Sequence, residues 1–179
     1  LTYGKKAVEA LKEAKDNLAD LSFNIHYIAN DNGDGTFDSL HGAYEAEEDT
    51  RQLCAKKLAP QKYFDYIYCR SVNGINGVDY TTCAKSAGID TAALKTCSEG
   101  NEGKSLLSED LKLADALGIS ASPTWLANNK YQFSGIDAQT VKTNFCKYNP
   151  GSAGCDKTLT TNTAVPSGAA LNEWAIFHH

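Results

Sequence analysis

The chain has no methionine, no C-x-x-C, no N-x-[ST] sequon and no apolar run of membrane-spanning length. Each absence excludes something. Without a C-x-x-C there is no adjacent dithiol for thiol–disulfide exchange and no short zinc knuckle. Without an apolar stretch of about 20 residues no transmembrane helix is expected. Positive charge is in the minority: 17 Lys and Arg against 22 Asp and Glu leave a net charge of −5, which argues against a nucleic-acid or polybasic membrane surface. With no methionine and a start at Leu1, a processed chain or a fragment is expected, any targeting segment having been removed.

What the chain does have is six cysteines, at positions 54, 69, 83, 97, 146 and 155. Their even number and wide spacing point to structural disulfides and so to an oxidising compartment, outside the cytosol. A secreted, periplasmic or lumenal protein is expected. Zinc is the rival reading, but the closest pair is Cys146 and Cys155, too far apart for a C-x₂₋₄-C ligand pair. Proximity suggests Cys146 with Cys155 and Cys69 with Cys83, leaving Cys54 with Cys97 by elimination. A chain of 179 residues suits one domain with its own hydrophobic core, which the disulfides reinforce.

Along the chain, residues 5–20 place Ala7, Val8, Leu11, Ala14 and Leu18 on one face of a predicted amphipathic helix. Residues 23–29 alternate and are rich in β-branched and aromatic side chains, a strand that the Gly/Asp/Asn cluster at 30–36 ends. Helices follow from Ala43, from Pro60, through 81–88, after Asp90 and through 104–117, with Gly88, Gly100 and Gly118 as stops. Tyr63, Phe64, Tyr66, Ile67 and Tyr68 are expected to pack this block against the sheet. Residues 118–127 and 131–135 read as strands joined by an Asn128-Asn129 turn, and a helix runs from Asp137 to Cys146. Residues 149–172, rich in Gly, Ser, Thr and Pro, read as an extended linker, and 173–179, EWAIFHH, as a strand.

Helix, strand, helical block, Ser122-Pro123-Thr124, hairpin and last helix together resemble a thioredoxin fold with a DsbA-type insertion. In that superfamily a cis-proline opens a strand, and Ser122-Pro123 takes its place. More narrowly, Leu40-His41-Gly42 followed by Glu45, Glu48 and Cys54 is similar to the C-Q-H-G-x-x-E-C region of the gamma-interferon-inducible lysosomal thiol reductase family. The order of all six cysteines matches over about residues 3–155. The resemblance implies an α/β thioredoxin-like domain at 1–148, with a cysteine-rich helical insertion at about 43–117.

Two departures govern the function. Active members carry a C-x-x-C at the start of the first helix, where this chain has Leu1-Thr2-Tyr3-Gly4, and Ser39 replaces the motif's further cysteine. No thiolate is left to attack a disulfide. The strand that precedes the first helix in the family, central in its sheet, is also missing, and a sheet split there would bury two unpaired rows of backbone groups. The C-terminal strand, through Trp174, Ala175, Ile176 and Phe177, fits the gap. It can fold back within its chain, be donated to a neighbouring subunit, or be unrelated to a strand lost by fragmentation. Donation is the favoured route, because a long polar arm ending in an apolar strand is the layout of strand donors. A surface extension whose two histidines begin a purification tag is the bland alternative.

Asn30, Asn32, Asp34, the Thr36 carbonyl and Asp38 partly fit a calcium loop, the only cofactor the sequence suggests. Asn in the first position and His41 in the twelfth favour a polar glycine-rich turn instead. His26 reads as a half-buried strand histidine, and His41 with Glu45 as a polar pair lacking a nucleophile. The acidic run Glu45, Glu47, Glu48, Asp49 reads as a helix first turn favouring the macrodipole. The expectation is a secreted, redox-inactive, disulfide-stapled thioredoxin-like protein with no catalytic residue, a structural role and self-assembly into oligomers or filaments. The alternatives are a thiol–disulfide oxidoreductase whose C-x-x-C segment is absent and a monomeric peptide-binding module.

Overall fold

The apolar spacing of residues 7–18 is realised as a buried stripe: Ala7, Val8, Leu11, Ala14 and Leu18 are all covered. The computed structural model describes residues 2–39, 41–74, 76–162 and 173–178, with residues 2, 3 and 173–178 described by backbone alone. In chain order the elements are α1 (Thr2–Asn17), β1 (Ser22–Tyr27), β2 (Asn30–Asp31), β3 (Phe37–Asp38), α2 (Ala43–Leu58), α3 (Tyr63–Asn73), α4 (Tyr80–Ala87), α5 (Thr91–Glu99), α6 (Asn101–Leu117), β4 (Trp125–Ala127), β5 (Tyr131–Phe133), α7 (Ala138–Tyr148) and β6 (Glu173–His178). This mixed α/β chain divides into two units, one formed by residues through His26 together with those from Ala121 onward, the other by Tyr27–Ser120.

The first unit is built on a four-stranded sheet of order β1-β6-β4-β5. The last strand of the chain is thus an interior strand of its sheet. β6 runs parallel to β4, with Trp125 opposite Ala175, Leu126 opposite Ile176 and Ala127 opposite Phe177. All three residues of β4 are buried, as expected of a strand paired on both edges. The strand expected over 118–127 is confined to its last three residues because the chain turns at Ala121–Pro123, where the Ser122–Pro123 bond is cis and proline offers no N–H to a ladder. β4 and β5 form an antiparallel hairpin whose turn holds Asn128 and Asn129 at φ 50 and 58, a left-handed conformation that Asn tolerates better than most residues. α1 packs on α7, closing a core that includes Val141 and Phe145.

Residues 149–162 are not the free linker their composition suggests. Cys155 is bonded to Cys146, and the largely buried Lys142 donates from Nζ to the Cys155 and Lys157 carbonyls at 3.3 and 2.5 Å. Further on, Leu159 N donates to Gln139 Oε1 at 2.8 Å, Gln139 N to Thr160 O at 3.0 Å and Thr160 N to Glu13 Oε1 at 2.9 Å. Gly154 makes the approach possible: its φ is +92, and a Cβ there would lie 1.9 Å from the Asn17 carbonyl oxygen. Side-chain anchoring of the backbone, invisible to composition, has overridden chain flexibility. The rest of the expected linker, 163–172, lies outside the described residues, and so do the side chains of Trp174, Ala175, Ile176 and Phe177.

The second unit carries five helices and the β2–β3 hairpin, which packs on α2 and α6 and so widens the unit beyond the expected 43–117. Two disulfides staple it, Cys54–Cys97 between α2 and α5 and Cys69–Cys83 between α3 and α4, and with Cys146–Cys155 they use every cysteine in the pairing that proximity suggests. α3 starts at Tyr63, not Pro60, because Lys62 N and Tyr63 N both return to the Ala59 carbonyl at 2.9 Å. α6 begins at Asn101, one turn early. Its Gly103 sits where a Cβ would fall 2.6 Å from Thr50 Cγ2 and 2.7 Å from the Cys97 carbonyl oxygen, so glycine lets α6 lie close against α2 and α5.

Candidate functional site

Ser39, His41 and Glu45 converge at the start of α2. Gly42, the N-cap residue, has φ 106 and no capping side chain, and Glu45 enters the first turn, where its charge suits the helix dipole. Its Oε2 accepts from Ser39 Oγ at 2.5 Å and lies 3.0 Å from His41 Nδ1. The Glu45 side chain is 8% exposed and that of His41 35%, so a buried carboxylate orients a half-exposed imidazole. Ser39 Oγ also contacts the Gly42 carbonyl at 3.1 Å and accepts from His41 N at 3.2 Å. The serine hydroxyl points at the carboxylate and not at the ring. This geometry fixes a turn; a serine nucleophile would instead need its proton directed at the imidazole.

One turn further along α2 lies a denser constellation. Arg70 Nε and Nη2 reach Glu48 Oε1 and Oε2 at 3.0 and 3.1 Å, a two-point grip between side chains 4% and 1% exposed. Tyr66 OH and Gln52 Nε2 add hydrogen bonds to Oε1 at 3.1 and 3.2 Å, Arg51 Nη1 reaches Oε2 at 3.1 Å, and Tyr27 OH donates to Gln52 Oε1 at 2.5 Å. Arg70 Nη1 also donates to the Val78 carbonyl, tying down the segment that leads into α4. Burial works against the Arg70 charge, but the bonds and charge of Glu48 overcome it and hold the guanidinium above its ordinary pKa. Burial, together with the Glu48 charge, pushes the Tyr66 phenol far up. Nearby on α2, burial lowers the Lys56 ammonium against the pull of Asp110.

The 30–38 segment folds as the β2–β3 hairpin, with Asn30 opposite Asp38. Its oxygens are engaged locally: Thr36 O accepts from Asn32 N at 3.1 Å, and Asp34 Oδ1 from the Thr36 hydroxyl and N–H at 2.5 and 2.9 Å. Those two bonds hold the Asp34 carboxyl below its ordinary range. Among the described residues no group of three or more His, Cys, Asp or Glu side chains is placed to hold a metal ion. At the other candidate position, the cis Ser122–Pro123 turn, Thr124 Oγ1 donates to the Ala121 carbonyl at 2.6 Å and Trp125 Nε1 to the Gly135 carbonyl at 2.8 Å. His26 is half-buried on β1.

The acidic run opens α2 as expected, with Glu45 in its first turn; Glu47 is exposed, whereas Glu45, Glu48 and Asp49 are buried, so the run forms an inward polar stripe. Its i, i+3, i+4, i+7 spacing through Gln52 is the legible clue, because polar residues at core spacing need buried partners. Arg70 and Tyr66 supply them from a neighbouring helix. Every cysteine is held in a disulfide, and the buried charge of Glu48 is matched by Arg70. Comparison with known proteins gives no matching family model and no matching curated protein.

Proposed function

We propose that this chain is a redox-inactive, disulfide-stapled thioredoxin-like protein of an oxidising, extracellular compartment, with a structural role in oligomers or filaments. The observation that carries the reading is the complete consumption of its six cysteines in three disulfides, with Leu-Thr-Tyr-Gly and no thiol at the start of α1. Dithiol exchange needs an attacking thiolate, and none exists here. The sheet order β1-β6-β4-β5, the α1–α7 pair and the cis bond ahead of β4 support the thioredoxin-like part of the reading. The occupied place between β1 and β4 favours it over an oxidoreductase fragment, whose sheet would have a gap there.

The test is an insulin-reduction assay with thiol titration of the native and the denatured, unreduced chain. We expect no titratable thiol in either state and no acceleration over buffer. Turnover like that of an active dithiol reductase would overturn the proposal.

A further inference from the structure

Resting on that structural reading, we infer that β6 is an exchangeable strand whose partner is the β1–β4 slot of a second copy of this chain. The anchoring of the segment after α7 carries the first part of the argument. It runs through the Cys146–Cys155 disulfide, the Lys142 ammonium and the Thr160–Glu13 bonds to Asn162, whose Nδ2 donates to the Ile136 carbonyl at 3.3 Å. Beyond Cys155 there is no disulfide, so the only covalent tether of β6 is the chain through residues 163–172. The segment from Cys146 to Asn162 is thus bound down within the first unit, and the interior strand of that unit's sheet lies past its last anchor.

The second part is the slot itself. β6 is last in sequence yet has hydrogen-bonded neighbours on both sides, β1 and β4, which are not neighbours of each other. An empty slot would present two facing rows of N–H and C=O groups, and only another strand satisfies them. A strand of identical sequence from a second copy makes the same parallel register, Trp125 with Ala175 through Ala127 with Phe177, so exchange forfeits no pairing.

Reach decides when exchange happens. A tether of residues 163–172 spans at most about 33–36 Å when extended. A ten-residue connection sets an effective concentration for pairing within the chain, which falls towards zero once its length is too short to span the return path. Dilute chains therefore close their own sheets, and copies crowded towards that concentration trade strands. Reciprocal exchange yields a closed dimer, and one-way exchange a filament.

The experiment uses two full-length variants, Leu126→Cys and Ile176→Cys, which place single thiols at register partners on β4 and β6. The two are mixed in guanidinium without reductant at about pH 4, where the new thiols stay protonated and the three native disulfides survive, then refolded at that pH over a series of protein concentrations, oxidised and run on a non-reducing gel. The expected result is a 126–176 cross-linked heterodimer whose share rises with refolding concentration. A chain lacking residues 165–169 should reach the same share at a concentration at least tenfold lower. The inference is overturned if the mixture gives no such cross-link at any concentration while the Leu126→Cys/Ile176→Cys double variant closes within one chain. It is also overturned if oligomers seen by light scattering persist after removal of residues 173–179. Both results would leave the redox-inactive structural reading standing, to be judged by the insulin assay.

Discussion

Arg70 holds Glu48 at two points, Nε to Oε1 at 3.0 Å and Nη2 to Oε2 at 3.1 Å, inside the second unit with almost no solvent at either side chain. Because removing one partner strands a buried charge, Glu48→Ala should cost about 3–5 kcal/mol in denaturant unfolding. Replacing both with apolar residues of similar size, Glu48→Met with Arg70→Met, should recover most of that loss. A double replacement no better than Glu48→Ala would show that the pair contributes net stability beyond its own desolvation.

The three disulfides should rank by the loop each closes. Chain-entropy estimates give about 4 kcal/mol for Cys54–Cys97, about 3 for Cys69–Cys83 and about 2.6 for Cys146–Cys155, whose sequence separations are 43, 14 and 9. Pairwise cysteine-to-alanine variants, compared by guanidinium midpoint, should follow that order. An inverted order would place the stabilisation in native packing around the sulfurs.

Alkaline stability should report Tyr66. Its folded pKa is raised above the ordinary value of 10.0, chiefly by burial, so the unfolded chain loses this proton first as pH rises. The contribution of a protonated phenol is fully present below pH 10 and declines above it, with a slope of one proton per chain for this group. Tyr66→Phe removes that slope while forfeiting the hydrogen bond to Glu48. Urea midpoints from pH 8 to 11 would check it: the wild-type curve should fall more steeply above pH 10 than that of the variant.

Gly154 and Lys142 should matter well beyond their small contact surfaces. Gly154→Ala forces a Cβ towards the Asn17 carbonyl from a backbone at φ +92, and strain of this kind costs on the order of 1–3 kcal/mol. Lys142→Met leaves the Cys155 and Lys157 carbonyls without their donor, an expected loss of about 1–3 kcal/mol. Hydrogen exchange should show the loss at residues 155–160 first, since those are the backbone groups released.

Local pattern made several elements legible. The stripe at Ala7, Val8, Leu11, Ala14 and Leu18 specifies α1 because 3.6-residue spacing leaves one side to bury. Asp90, accepting from Ala93 N at 2.8 Å, begins α5, and Gly118 at φ 66 ends α6, both through backbone groups within a few residues. Where the reading failed, the deciding partner lay far along the chain. Glu48 reads only as part of an acidic first turn until Arg70 and Tyr66 are beside it, and residues 149–162 read as a linker until Glu13, Gln139 and Lys142 hold them.

The sequence by itself determined the helices, the turns, the even set of cysteines and the absence of any dithiol motif, because each depends on residue type and short-range spacing. Tertiary structure alone decided that an acidic run faces inward, that the segment after α7 is bound down to Asn162, and that the final strand, which by its sequence fits the gap, pairs between β1 and β4 of its own chain. The reason is physical: a buried charge and an interior strand are stable only through partners that satisfy them, and those partners are brought close by folding, not by position in the chain.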